Sequence, residues 1–346
     1  MRRRRGIRVT LEEDEQRGGN GRRWLGEEVL TYSGTIAELS AEIPTFTRQP
    51  FTVSAEQGPT QPNLFGDPSP LLQGPNRYYD VIVREPLRLG EAPIPVGIVS
   101  KQYALVQHRD LLNAAGRALK RIGADLEGVC ADLEITEYGG RMLVHLRLPE
   151  KYDFNPGDGE QMTLRLACIN SVDRSMPLQA WLGWFRLICS NGMIVGAVLT
   201  HYRQVHDASL DLSDVPTVLE AGLKLAEEDR ESFAAWYTRR VEEPRLVRWV
   251  DGTLQKAWGV KAAARVHLIA QTGYDGELAD PFEAKCPAHQ KTMERTVKVP
   301  GSPAPAKNAF EVSQALAWVA SARRDVQERV TWMRGIPELM GQLLKN

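Results

Sequence analysis

Val129-Cys130-Ala131-Asp132-Leu133-Glu134-Ile135-Thr136-Glu137-Tyr138-Gly139-Gly140-Arg141-Met142-Leu143-Val144-His145-Leu146-Arg147-Leu148 is the stretch that decides the fold. Val129, Ala131, Leu133 and Ile135 alternate with Cys130, Asp132, Glu134 and Thr136. Beyond Gly139-Gly140, Met142, Val144, Leu146 and Leu148 alternate with Leu143, His145 and Arg147. Successive side chains of a strand point to opposite faces, so two such runs around a glycine pair read as a β-hairpin with a two-residue turn. In that register Ile135 faces Val144 on the apolar side, while Glu134 faces His145 and Asp132 faces Arg147. Opposite charges then stand across from each other, which favours this pairing.

Upstream of the hairpin the period changes. Leu111, Ala115, Leu119 and Ile122 recur at i, i+4, i+8 and i+11, one face of a helix, and Gly123 stands where a glycine stop belongs. Before that helix, Tyr79–Arg84 alternates and Ile94–Val106 is β-rich. Gly97 interrupts the second run, the mark of a bulge or a close backbone approach. Downstream, Asn155-Pro156-Gly157-Asp158-Gly159 is a turn, Met162–Ile169 alternates, and Leu178–Cys189 reads as a long aromatic strand or strand pair. The strand pattern stops near His201. Leu219, Leu223, Ala226, Phe233, Tyr237 and Val241 then share a helical face. Leu254–Ile269 reads as helical in pieces, and Val312, Leu316, Val319, Val326 and Val330 predict one long amphipathic helix.

Strands segregated from helices predict an α+β fold: an antiparallel sheet with a helix-hairpin core over residues 78–200, then a mainly helical C-terminal region. Residues 1–75 read as disordered or loosely ordered, with Gly18-Gly19-Asn20-Gly21 and a Pro/Gly-rich linker over 57–75. One short ordered element is expected within Ile36–Val53. Residues 76–205 form the α+β core, and residues 206–346 a helical region packed on it.

Composition narrows the function classes. The 43 Lys and Arg against 44 Asp and Glu leave a net charge of −1, so no global basic field points to nucleic acid. No apolar run reaches the ~18 residues of a membrane span, and Met1-Arg2-Arg3-Arg4-Arg5-Gly6 lacks the apolar segment of a secretory signal. Cys130, Cys168, Cys189 and Cys286 are too dispersed for a disulfide framework, which fits reduced thiols in a cytoplasm.

The search for chemistry is mostly negative. Cys286-Pro287-Ala288-His289 has ligand-like spacing without a second pair, so no metal site is expected. No phosphate-binding glycine motif or nucleophile elbow occurs, and neither a cofactor nor a catalytic residue is assigned. Cys189 ends an apolar strand and reads as a buried thiol. Asn170, Asp173 and Asn191 form a polar turn cluster, for which turn capping is the simpler account. Lys101, Tyr103, Arg165, Arg174, Trp184 and Arg186 lie on or beside predicted strands and are the candidates for nucleic-acid contact. Sheets that bind single strands stack bases on aromatic side chains, about 1–3 kcal/mol per base, and hold phosphates with cations.

Gly97-Ile98-Val99-Ser100-Lys101-Gln102-Tyr103-Ala104-Leu105-Val106, with His108–Asp110 after it, resembles the opening strand motif of domain-of-unknown-function family 932. Ile169-Asn170-Ser171-Val172-Asp173-Arg174-Ser175 is similar to that family's asparagine-serine turn, with Val172 and Arg174 where a histidine and a glycine are expected. Arg186-Leu187-Ile188-Cys189-Ser190-Asn191-Gly192-Met193 resembles its arginine–aliphatic–cysteine–x–asparagine segment, and Asn308–Leu316 is similar to its C-terminal helix. The resemblance is closest over residues 94–196. It implies a setting on phages, plasmids and integrated elements, and no mechanism. The expected function is therefore a non-enzymatic mobile-element protein that binds single-stranded nucleic acid, annealing it in recombination or replication, with homo-oligomers. Two alternatives stand beside it: an interaction factor that inhibits a host enzyme, and an enzyme with a site near Asn170, Asp173 and Asn191.

Overall fold

Pairing begins well before the hairpin. The computed structural model describes residues 8–9, 23–52, 75–187, 194–195, 198–278, 288 and 293–345. Its first elements are β1 (Arg8–Val9), β2 (Arg23–Trp24), β3 (Glu27–Thr35), α1 (Ile36–Ser40) and β4 (Phe46–Pro50). Residues 23–52, expected within a loosely ordered segment, are thus built into the fold: β3 pairs with the hairpin from Val29 opposite Thr136 to Thr35 opposite Cys130. A strand whose order comes from its partner carries little signal of its own. Thr35 opens α1 with a capping box, its hydroxyl accepting from Glu38 N–H while Glu38 accepts from Thr35 N–H. The glycine-rich run and most of the 57–75 linker lie outside the described residues.

Next come β5 (Tyr79–Arg84), β6 (Ile94–Ser100), α2 (His108–Arg121), β7 (Cys130–Thr136), β8 (Arg141–Arg147), β9 (Thr163–Ser171), β10 (Leu178–Leu187), β11 (Ile194–Val195) and β12 (Val198–Gln204). The large antiparallel sheet runs β3-β7-β8-β9-β10-β12, with β1 and β2 on β3 and β11 on the far end of β10. β4-β5-β6 is a separate small sheet. The mainly helical remainder holds α3 (Val215–Thr238), α4 (Glu243–Trp249), a π turn over Val250–Leu254, α5 (Gln255–Trp258), α6 (Val260–Thr272), the hairpin β13 (Tyr274–Leu278) and β14 (Met293–Lys298), α7 (Ala309–Ser321) and α8 (Val326–Lys345). The architecture is α+β. The single terminal helix predicted from Val312 to Val330 is two helices. The break falls at residues 322–325, where Asp325 Oδ1 accepts from Glu328 N–H at 2.9 Å and restarts the chain.

The hairpin register is two residues from the expected one: Ile135 faces Met142, Leu133 faces Val144 and Asp132 faces His145. Gly139 N–H donates to Thr136 O at 2.7 Å, and Gly139 alone of the glycine pair has positive φ, +77°. The connection is therefore a β-turn followed by a left-handed glycine, not a two-residue turn. An even shift preserves the faces, so the apolar set still points one way. The charge partners change: Asp132 pairs with Arg165 of β9, Arg147 with Asp153, and Glu134 with Arg329 of α8.

Both faces of the large sheet are covered. On one, Leu133, Val144, Leu166, Ala180, Leu182 and Trp184 pack against Leu111, Ala115 and Leu119 of α2 and Leu219, Ala226 and Phe233 of α3. On the other, Leu143, Ala167, Ile169 and Trp181 pack with Trp24 and with Val326 and Val330 of α8, and Phe185 with Met333. A second core joins α4, α6, α7 and the distal half of α8 through Leu246, Val266, Leu316 and Met340.

Candidate functional site

A buried polar knot lies where α2, the hairpin turn and the end of β9 meet. His108, at the start of α2, is fully buried; its Nε2 is 2.8 Å from Gly139 O and its Nδ1 is 2.9 Å from Asn170 Nδ2. The Asn170 amide also donates to Val106 O at 2.9 Å. An amide N–H can only donate, so Nδ1 accepts and the Nε2–H donates to Gly139: the ring is the neutral Nε2–H tautomer. Burial pushes its pKa down to about 4, against weaker opposing effects of the Gly139 carbonyl and Asp173.

Asp173 stands beside this knot as a strut. Its carboxylate takes Arg141 at 2.7 Å and Ser175 N–H at 2.9 Å, while Arg141 also donates to Trp24 O at 2.7 Å and Ser175 Oγ at 2.9 Å. Tyr103 donates to Ser171 O at 2.8 Å and stacks on His206 with ring centroids 4.9 Å apart. Burial raises the Tyr103 pKa and lowers that of His206. Asn170 and Asp173 are thus brought together, and Asn191 lies outside the described residues. The sequence missed Arg141 and His206 as partners, and read His108 only as a helix start. These groups tie segments together; among them no side chain is both activated and open to a substrate.

Among the described residues no three His, Cys, Asp or Glu side chains are grouped to hold a metal. Cys168 is buried, with its thiol pushed up to about 12 by burial, so it is no nucleophile at neutral pH. Cys189, Cys286 and His289 lie outside the described residues.

The six candidate nucleic-acid residues do not form one surface. Trp184 is fully buried, beneath Arg230, whose guanidinium is 5.3 Å from the ring centroid. Arg186 is buried on the same face, pairs with Asp158 at 2.6 Å and sits 5.4 Å from the Phe310 ring. Arg165 is buried on the opposite face against Asp132. Tyr103 is buried. Arg174 is exposed on the turn after β9, with φ +67°.

Lys101 has different company. Its side chain is 44% exposed, and its N–H donates to Tyr78 O at 2.9 Å. Tyr78 is 74% exposed and Tyr79, opposite Ser100 in the β5–β6 ladder, is 41% exposed. Alternation along β5 puts Tyr79 and Val81 on the outer face with Ile98, the residue opposite Val81, while Asp80 and Ile82 point inward. Asp80 is shared by Lys101 and Arg48, two cations on one carboxylate, and Arg77 is exposed next to Tyr78. Arg77, Tyr78, Tyr79 and Lys101 are thus exposed aromatic and basic side chains at one end of the small sheet. The sequence showed Tyr78 and Tyr79 only as the start of a strand.

A family model described as "Domain of unknown function (DUF932)" matches residues 95–297, more than half of the chain. No curated protein and no solved structure matches. Among the described residues no helix is long and apolar enough to cross a membrane.

Proposed function

The chain belongs to domain-of-unknown-function family 932, and from that membership, which names no reaction, we propose that it is a non-enzymatic binding protein that takes single-stranded nucleic acid on the small sheet. The observation that carries this reading is that Tyr78, Tyr79 and Lys101 are all solvent-exposed at one end of the small sheet, where Lys101 N–H donates to Tyr78 O. Aromatic faces open to solvent stack bases irrespective of sequence, and nearby cations hold the backbone. The large sheet is a poorer platform, because helices cover both of its faces and Arg165 and Arg186 are buried. The setting we attach to this role is a phage, plasmid or integrated element in a reducing cytoplasm, with annealing as the outcome.

The test is anisotropy of labelled oligothymidine against salt. Binding weakens linearly in log–log form as salt rises, and Tyr78→Ala and Tyr79→Ala each cost about 1–3 kcal/mol. Absence of salt-sensitive binding by the intact chain rejects the reading.

Leu87, Leu89 and Ile98 favour a second one. Leu89 is fully exposed and the other two are half-exposed, on and beside the same sheet. An apolar patch of this kind suits a protein partner, such as a host enzyme held inactive. Leu87→Ser with Leu89→Ser then abolishes the partner's inhibition and leaves oligothymidine binding unchanged.

A further inference from the structure

A cavity of about 110 Å³ opens between the end of β10, the loop after β14 and α7, lined by Glu160, Arg186, Gln314 and the turn at residues 299–302. Ser302 N–H closes that turn on Val299 O at 3.3 Å, and Gly301 takes the left-handed φ of +68° there. Val299 is buried and Pro300 half-buried, so this part of the lining is apolar. The rest is polar. Arg186 is only 6% exposed. One Nη donates to Asp158 at 2.6 Å and to Glu160 O at 3.4 Å, while the Nε–H is buried with no partner among the described residues. Gln314 Nε2 donates to Ser313 Oγ at 3.5 Å, and its Oε1 is likewise buried without a partner among the described residues. One unmet donor and one unmet acceptor therefore belong to two side chains that line the same cavity.

Buried polar groups are nearly always paired, so these two suit a ligand that brings both an acceptor and a donor. Charge selects against an anion, because the carboxylates of Asp158 and Glu160 stand against the single guanidinium of Arg186. Size selects one ring, since a cavity of about 150 Å³ holds a benzene molecule. A neutral six-membered ring with a carbonyl beside an N–H meets all three conditions, and its apolar faces suit Val299 and Pro300. We infer that this cavity binds one pyrimidine ring of the uracil or thymine type, a ring carbonyl accepting from Arg186 Nε–H and the neighbouring N–H donating to Gln314 Oε1. The site does not depend on the reading above. Gly97 of the small sheet packs on Asp173, beyond the Ser171 end of β9, whereas Arg186 follows Phe185, which pairs with Thr163 at the other end of that strand. The length of β9, about 27 Å, separates the two places.

Thymidine titrated into isotope-labelled protein tests the site by the Arg186 Nε–H and Gln314 side-chain amide resonances, assigned with Arg186→Lys and Gln314→Leu. Both signals are expected to move, and Tm to rise with thymidine concentration. N3-methylthymidine, which lacks the N–H, and Gln314→Leu, which lacks the acceptor, are each expected to weaken binding about tenfold. Equal affinity for the two nucleosides, or no movement with thymidine at millimolar concentration, overturns the site. Oligothymidine distinguishes the source of the ring. Movement of the same two signals with it supports a base of a strand in the cavity, and movement with thymidine alone supports a free nucleoside. A thymidine response without any oligothymidine binding supports the cavity site and rejects the strand-binding reading.

Discussion

Asn170 Nδ2 lies 2.9 Å from His108 Nδ1, and through this contact the end of β9 holds the first residue of α2. The other ring nitrogen holds the hairpin turn at Gly139 O, so one imidazole joins three parts of the fold that lie far apart in sequence. Every polar atom of the ring is satisfied in the neutral state. A second proton on Nδ1 would face an amide N–H that has nothing to accept it with.

Acid therefore destabilises this fold through its histidines. The His108 pKa is about 4 in the folded chain against an ordinary ~6.5 unfolded, and burial pushes those of His145 and His206 down as well. Between these values the unfolded chain binds more protons, so stability rises with pH. The contribution is fully present above pH ~6.5 and is lost as pH falls towards 4. For His108 it is on the order of 3 kcal/mol. Urea unfolding at pH 7.5, 6 and 5 is expected to show a falling midpoint, with a shallower fall in His108→Gln. Equal slopes in the two proteins would rule out His108 as the main sensor.

The hairpin, its faces and the α2 helix were legible because periods of 2 and 3.6 are written in neighbouring residues. Its register was not, since Gly139-Gly140 does not say which glycine takes the left-handed conformation. β3 was missed for a different reason. Glu27 to Thr35 mixes acidic, apolar and small residues without clean alternation, and its order comes from the 130–136 strand. In the candidate site, Lys101 was legible as a cation on a strand. The exposure of Tyr78 and Tyr79 was not, because it depends on no layer covering the small sheet. The burial of Arg165 is likewise tertiary, since it lies on the sheet face where Leu143 and Ala167 pack with Val326 and Val330 of α8.

Asn170→Ala should be costly out of proportion to its size. It leaves the Val106 carbonyl and His108 Nδ1 buried without their donor, and each unsatisfied group costs about 1–3 kcal/mol. A loss of about 2–4 kcal/mol in urea unfolding is expected. Asn170→Asp should be worse at neutral pH, since it puts a second carboxylate near Asp173. Measured losses below 1 kcal/mol for the alanine variant would show that the knot is not under this constraint.

Glu134 and Arg329 pair at 2.6 Å with both side chains buried, between β7 and α8. Breaking a buried pair from one side costs about 3–5 kcal/mol, whereas replacing both partners by apolar side chains can be nearly neutral. Glu134→Ala is expected to loosen the proximal half of α8, seen as faster amide exchange over residues 326–333, while the core of Leu316 and Met340 stays protected. Glu134→Leu with Arg329→Met should recover most of the stability. If the double change is as damaging as the single one, the pair contributes through its hydrogen bonds to other groups and not through its charge balance.

Arg174 occupies a backbone conformation that suits glycine. Its φ is +67°, in the left-handed region where a Cβ costs roughly 1–2 kcal/mol, and it is the position at which the family resemblance leads one to expect a glycine. Its side chain is exposed and makes no ion pair among the described residues, so little folded-state interaction is lost on replacement. Glycine gains freedom in the unfolded chain, which offsets part of the relief. Arg174→Gly is therefore expected to raise stability by about 0.5–1 kcal/mol. Arg174→Val, β-branched at the same φ, should lower it. Thermal unfolding of the two variants beside the parent decides the matter. A glycine variant no more stable than the parent would mean that Arg174 is held by an interaction outside the turn itself.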